Sequence, residues 1–327
     1  MQLKGKLLVT FLGLALAPTL LVGFIASYIS SSSIEQQVFS QLVSIREIKK
    51  SQIEGYFVER KSDIEVISRT IEKLLDLSSS EALNASADDS HQYFEKFIQA
   101  YGYYDFFLIN QSGEIFYTVT KEADYQTNLI SGQYNNSGLA QLFKQVINTG
   151  TYGMADFSRY VPSNNEPASF IALPLTINGE SVVVALQLSI EKINKVMQQR
   201  EGMGETGESY LIGSDLLMRS GSYLDPIGHS VIASFAGTVK NNGVDTKGAN
   251  LAIKGKAGEE IIIDYNGNPV LSAYTPIDLN GIRWALLSEI DVAEAFAPID
   301  TLHFNIIIVV LLFFVVIITV ALAITKS

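Results

Sequence analysis

The 327-residue chain has no cysteine, a single tryptophan and three histidines. Without thiols it cannot form a disulfide framework, a thiolate metal site or a cysteine nucleophile, and both oxidising and reducing compartments stay open. His91, His229 and His303 are scattered, which suggests neither a histidine metal site nor a Ser-His-Asp triad. Positive charge is scarce too: 23 basic against 34 acidic residues leave a net charge of −11, the opposite of the basic face a nucleic-acid binder needs. Neither Gly-x-Ser-x-Gly nor a phosphate loop occurs. Gly202-Met203-Gly204-Glu205-Thr206-Gly207 fits Gly-x-Gly-x-x-Gly, but it follows a helix and leads into a strand, the reverse of dinucleotide binding, and reads as a turn. Asp88-Asp89 and Glu259-Glu260 read as solvated charge rather than catalytic pairs, and no motif calls for a cofactor or metal.

Apolar residues are present in excess, 47% of the chain, and they collect at the ends. Residues 7–29 and 306–324 carry no charge, against the roughly 20 residues a helix needs to cross a bilayer. Lys4 and Lys6 flank the first run and Lys326 the second, so the positive-inside rule places both termini in the cytoplasm. Setting those lysines aside leaves 20 basic against 34 acidic residues in the exported body, a net charge of −14. Ala15-Leu16-Ala17 has the form of a signal-cleavage site, yet the apolar run continues past it into an amphipathic helix, which favours an uncleaved anchor.

From Ile34 to Leu77 the period is helical, with Val38, Leu42, Ile45, Tyr56, Ile64, Ile67, Ile71 and Leu74 on one stripe and no proline. Such a helix reaches about 65 Å and leaves the membrane as a stalk. Its stripe serves either its own domain or a second chain in a dimer. Beyond Tyr103 the period becomes two. Strands are expected at 103–110, 114–120, 154–160, 169–177 and 181–189, with a helix at 138–148 and turns at Gln111-Ser112-Gly113 and Asn178-Gly179. The pattern then repeats: Tyr210-Leu211-Ile212 follows Phe107-Leu108-Ile109 at an offset of 103, and Pro276 with Asn280-Gly281 follows Pro174 with Asn178-Gly179 at 102. Strands at 260–265, 270–276 and 283–290, an Asn266-Gly267 turn and a helix from Asp291 into the second apolar run complete the second copy.

This order resembles the double Cache sensor region of bacterial methyl-accepting chemotaxis receptors. The likeness rests on Leu42-Val43-Ser44-Ile45-Arg46-Glu47 and Ile53-Glu54-Gly55-Tyr56-Phe57, on Tyr104-Asp105-Phe106-Phe107-Leu108-Ile109 with Gly113-Glu114-Ile115, on Tyr117-Thr118-Val119 with Lys121-Glu122-Ala123-Asp124, and on Gly204 to Gly213 with Leu217-Met218-Arg219-Ser220. It implies an α+β fold: two transmembrane helices flanking a stalk helix and two tandem PAS-like antiparallel-sheet modules. The expected organisation is a cytoplasmic start at 1–6, spans at 7–29 and 304–324, the stalk at 30–77, a membrane-distal module at 78–190, a membrane-proximal one at 191–303 and a cytoplasmic end at 325–327. Such receptors continue into a HAMP linker and a signalling coiled coil, so the end at Ser327 implies a receptor fragment or a membrane partner. The resemblance puts the ligand on the distal sheet, which here offers Tyr117, Lys121, Asp124, Asp156, Arg159, Tyr160 and Ser169. Amino-acid-binding members carry Arg-x-Trp-Tyr, whereas the one tryptophan here is Trp284 in the second module, so an organic acid is as good an expectation as an amino-acid-like ligand. Expected partners are that small molecule, the lipid bilayer, a second copy through the stalk and a cytoplasmic signalling partner. The input region of a sensor kinase or cyclase is the near alternative; an anchored hydrolase or a passive scaffold are the other classes.

Overall fold

The computed structural model describes residues 3–76, 87–177 and 179–326; Asn178, Leu77 and the outermost terminal residues, to which expectations above attach, lie outside these. Helix α1 (Leu3–Asp76) is continuous through apolar run and stalk, with Pro18 inside it. Helix α2 (Ala87–Tyr101) leads into β1 (Tyr103–Asn110) and β2 (Ile115–Thr118). Helix α3 (Gly138–Thr149), capped by the Ser137 hydroxyl and closed by Gly150 at φ 66°, precedes β3 (Gly153–Tyr160), β4 (Glu166–Ile177) and β5 (Glu180–Leu188). Helix α4 (Ile190–Met197) connects to β6 (Glu208–Gly213). Three short helices follow, α5 (Val231–Ala236), α6 (Val239–Asn242) and α7 (Lys247–Ile253), where the sequence pattern marks no element. Strands β7 (Gly258–Ile263), β8 (Pro269–Leu279) and β9 (Ile282–Asp291) end in helix α8 (Val292–Lys326).

The strands form two antiparallel sheets, ordered β2-β1-β5-β4-β3 and β6-β9-β8-β7. The sequence offsets reappear as registers. Asp105 pairs with Gln187 and Glu208 with Glu289; Gln187 pairs with Phe170 and Glu289 with Ser272. Asn280 and Gly281 take φ 49° and 88°, the positive pair a type I′ hairpin requires. Asn266-Gly267 instead sits in a wider loop, because Asp264 accepts the Asn266 and Asn268 amides and ends β7 early.

The stalk stripe packs on the chain's own sheets. Ile53, Ile64, Ile67 and Ile71 are buried with Phe106, Ile171 and Leu186 of the first sheet and with Trp284, Ile277 and Leu286 of the second, so one apolar core runs along α1 past both. Lys49 is held by the Val196, Met197 and Gln199 carbonyls at the end of α4, and burial draws its pKa down to about 8. Near the base, Leu42 meets Leu271, Ala273 and Ala295. Helices α1 and α8 each contain a stretch long and apolar enough to cross a membrane. They pack side by side: a Cβ on Gly23 would stand 3.1 Å from Ile306.

Candidate functional site

The two faces of the first sheet differ. Tyr103, Phe106 and Leu108 face α1, while Phe107, Ile109, Val183, Ala185 and Phe170 face α3. On the α3 side the apolar surface gives way at one end to a polar cluster on β1, β3, β5 and the 119–128 loop. Asp105 accepts five hydrogen bonds, from the Phe106, Val119 and Thr120 amides and the Thr118 and Thr120 hydroxyls. It anchors the loop, and by diverting those amides it ends β2 at Thr118 rather than Thr120. Beside it the fully buried Asp124 takes the Tyr160 hydroxyl at 2.5 Å on Oδ2, while Oδ1 has no partner. Burial raises its pKa to about 6, more than the tyrosine draws it back. Glu122 accepts from Tyr104 (2.6 Å) and Ser163 (2.7 Å); Gln187 donates to Ser163 at 3.3 Å and leaves its own Oε1 unpartnered.

Tyr104, Ser163 and Gln187 also line a cleft of about 650 Å³ that opens between the modules, bounded below by α4 and Ser230-Val231-Ile232. The cluster therefore reaches solvent at the lower end of the sheet. A free acceptor on the buried acid Asp124 and another on the Gln187 amide, which lines the open cleft, suit a ligand that brings hydrogen-bond donors and positive charge.

Of the seven residues picked from the sequence, the structure brings only Asp124 and Tyr160 together. Tyr117 lies on the opposite face, among Phe94 and Phe106 and 3.0 Å from His91 Nδ1. Lys121 is exposed. Ser169 donates to the Ala155 carbonyl. Asp156 and Arg159 reach across to the second module. Asp156 takes Arg219 Nε and Nη2 at 2.9 and 2.8 Å and the Trp284 indole at 3.0 Å, and Arg159 Nε donates to the Phe235 carbonyl at 2.7 Å. Strand alternation would put Asp156 and Tyr160 on one face and could not have separated these groups, since an irregularity between Ala155 and Ser158 breaks the simple period. Glu122 entered only as part of the Lys121-Glu122-Ala123-Asp124 run, and Ser163 and Gln187 gave no signal of their own; the first two lie in loops after β2 and β3 and Gln187 near the end of β5.

The glycine-rich turn has a structural role. Its Glu205 and Thr206 amides and the Thr206 hydroxyl bind the Glu294 carboxylate in the first turn of α8, and Arg200 braces it through the Gly204, Glu205 and Gly207 carbonyls. Gln41 of α1 donates to the Gly202 carbonyl. Among the described residues no group of three or more acidic or histidine side chains is arranged to hold a metal ion.

The model of the Cache domain family (dCache_1) matches residues 30–299. Among solved structures the chain is similar to the periplasmic sensory domain of the Campylobacter jejuni chemoreceptor Tlp1, with a TM-score of 0.58 at 17% identity over 81% of this chain and 99% of that one. It is also similar to the ligand-binding domain of the Pseudomonas aeruginosa amino acid chemoreceptor PctB in complex with L-Arg (0.52, 18%, 80% and 98%) and to that of the Pseudomonas fluorescens chemoreceptor CtaA in complex with L-isoleucine (0.52, 16%, 82% and 98%). No curated protein matches significantly. With the family model spanning both sheets and the helix beside them, this chain belongs to the Cache domain family.

Proposed function

We propose that this protein is the sensing region of a two-span receptor, periplasmic or extracellular between its spans, whose distal module binds a small molecule through an ammonium group. The observation that carries this is Asp124: a buried carboxyl with one oxygen free, flanked by Asp105 and Glu122 and with no basic side chain bonded to it among the described residues. Arg159, the cation best placed by sequence to receive a carboxylate, is committed to Phe235. An amino acid or an amine thus fits better than an organic acid, and complexes of similar domains with L-Arg and L-isoleucine agree with this. Thermal-shift and calorimetric screening of the full chain in detergent should find amines or amino acids that bind without turnover, and Asp124→Asn should abolish the response. Binding of dicarboxylates alone, unaffected by Asp124→Asn, would overturn the assignment.

Transmission follows the bonds already described. Tyr160 and Asp156 share β3, so a ligand that moves Tyr160 loads the Asp156–Arg219–Trp284 contact; Trp284 packs on Phe57 of α1, and the glycine-rich turn holds α8. Both spans end in the cytoplasm, where a signalling region or partner reads the shift, and couplings of about 1–3 kcal/mol suffice. The outer face of α1 carries Ser44, Ile48, Ser51, Gly55, Val58 and Ser62, all exposed and uncharged at steps of three and four, between flanks of Glu and Lys. This row fits a second copy as a homodimer stalk. Val58→Arg should shift the solubilised protein to monomer in light scattering; an unchanged mass would remove the row from the interface.

A further inference from the structure

The duplicated registers place a second polar cluster on the proximal sheet. Glu208 stands where Asp105 stands and does the same work: its Oε2 accepts the Ser222 hydroxyl and the Tyr223 and Leu224 amides, and its Oε1 the Tyr265 hydroxyl. Glu289 stands where Gln187 stands, directly across from Glu208 and next to Ser272. It is 2% exposed. Tyr210 donates to its Oε2 at 2.6 Å, and its Oε1 has no partner, just as Gln187 Oε1 has none. The Ser272 hydroxyl, wholly buried, lies beside Glu289 but makes no hydrogen bond of good geometry.

We propose that the membrane-proximal module carries its own binding site, built on Glu289 Oε1 and Ser272 Oγ and equivalent in position to the Gln187 corner of the distal module, and that it takes an ammonium ion or a small primary ammonium. The exchange of Gln187 for Glu289 between the copies changes a neutral acceptor into an anionic one, which selects for positive charge. Among the described residues nothing basic is bonded to that charge. The acids nearest it are Glu208 on β6 and Asp264 after β7; Tyr210 and Tyr265 face it as neutral hydroxyls; His229 lies against Tyr265 and is bonded to Asp225; and Lys247 on α7 is paired with Glu260. An ionised buried carboxylate must gain a proton or a cation. Burial lifts Glu289 to about 7, against the pull of the Ser272 and Tyr210 hydroxyls, so near neutrality proton and cation exchange at little cost. The roof limits size. Helix α7 crosses the sheet at Gly248, where a Cβ would stand 3.0 Å from the Tyr274 ring, 3.1 Å from Ile262 and 3.4 Å from Ser272 Oγ, so its backbone closes over this corner and excludes any larger ligand.

The test uses the full chain in detergent at pH 8 and constant ionic strength, with ammonium chloride and methylammonium chloride as probes against sodium and potassium chloride. Ammonium should raise the melting midpoint saturably in the wild type and in Asp124→Asn, with protons released on binding at pH 7 as judged by calorimetry in buffers of different ionisation enthalpy. Glu289→Gln should remove the shift, and Ser272→Ala, the milder change if Glu289→Gln folds poorly, should raise the ammonium concentration needed several-fold. No shift with ammonium, an equal shift with sodium or potassium, or a shift surviving both substitutions would each overturn the proposal. Loss of the shift in Asp124→Asn alone would reassign it to the distal site.

Discussion

Asp156→Ala tests how tightly the two modules are joined. In the native chain this carboxylate receives a bidentate guanidinium from Arg219, which is 2% exposed, and the indole N–H of Trp284, which is fully buried. Its removal strands two buried donors. Deleting one partner of a buried ion pair costs about 3–5 kcal/mol. Arg219 retains Asp215 and the Leu217 carbonyl, and Asp156 itself is 23% exposed, so water can partly replace it. The cost is therefore placed at the lower end, about 3 kcal/mol, with the indole included. For a chain of this size that corresponds to a midpoint lowered by roughly 4–5 °C. Far-ultraviolet circular dichroism of the solubilised chain, heated with and without Arg219→Met in the same background, measures it. Because Arg219→Met also removes the stranded cation, the double variant should be more stable than the sum of the singles predicts, by about 1–3 kcal/mol. A midpoint within about 2 °C of wild type for Asp156→Ala, or strict additivity, would refute the reasoning.

Three further outcomes are expected. Asp124 has a folded-state pKa of about 6 against an ordinary 3.8, so the native state binds more protons than the unfolded one between those values; stability should fall as pH rises from about 4 to 6, by up to about 3 kcal/mol, and Asp124→Asn should flatten that part of a denaturant-midpoint profile. Gly204 has φ 73° and a Cβ there would meet Glu294 Oε1 at 2.2 Å, so Gly204→Ala should open the clasp on α8 and raise protease cleavage around residues 202–207, whereas Gly267→Ala, strained alike in φ but with open space around it, should leave that cleavage unchanged. Gly23→Cys with Ile306→Cys, in a chain that has no native cysteine, should cross-link under mild oxidation because the two helices touch there; failure to cross-link in a membrane would separate the helices at that depth.

Regular elements were legible where burial imposed one period over many residues. The stalk stripe from Leu42 to Ile71 runs for several turns on one face, and the strands Phe107 to Ile109 and Val182 to Leu186 are apolar throughout, so their positions follow from local sequence. Strand ends were less legible, because they are set by distant side chains: Asp105 shortens β2 and Asp264 shortens β7. The same limit applies to the site. Tyr160 and Asp124 belong to a strand and a loop that the chain brings together, and nothing local distinguishes Asp124 from Asp156, which serves the other module.

Composition and pattern alone determined two apolar ends, an acidic middle without thiols, a long helix and a doubled antiparallel module, since each of these is written in runs and repeats along the chain. Only the tertiary structure decided that the stalk's apolar stripe faces its own sheets, that Asp156 and Arg159 join the modules rather than line the cleft, and that Asp124, Gln187 and Glu289 end with unpartnered oxygens. Those facts depend on which groups meet far apart along the chain, 63 residues for Asp156 and Arg219 and 76 for Arg159 and Phe235, and hydrogen bonds, unlike hydrophobic periods, leave no trace in the sequence on either side of them.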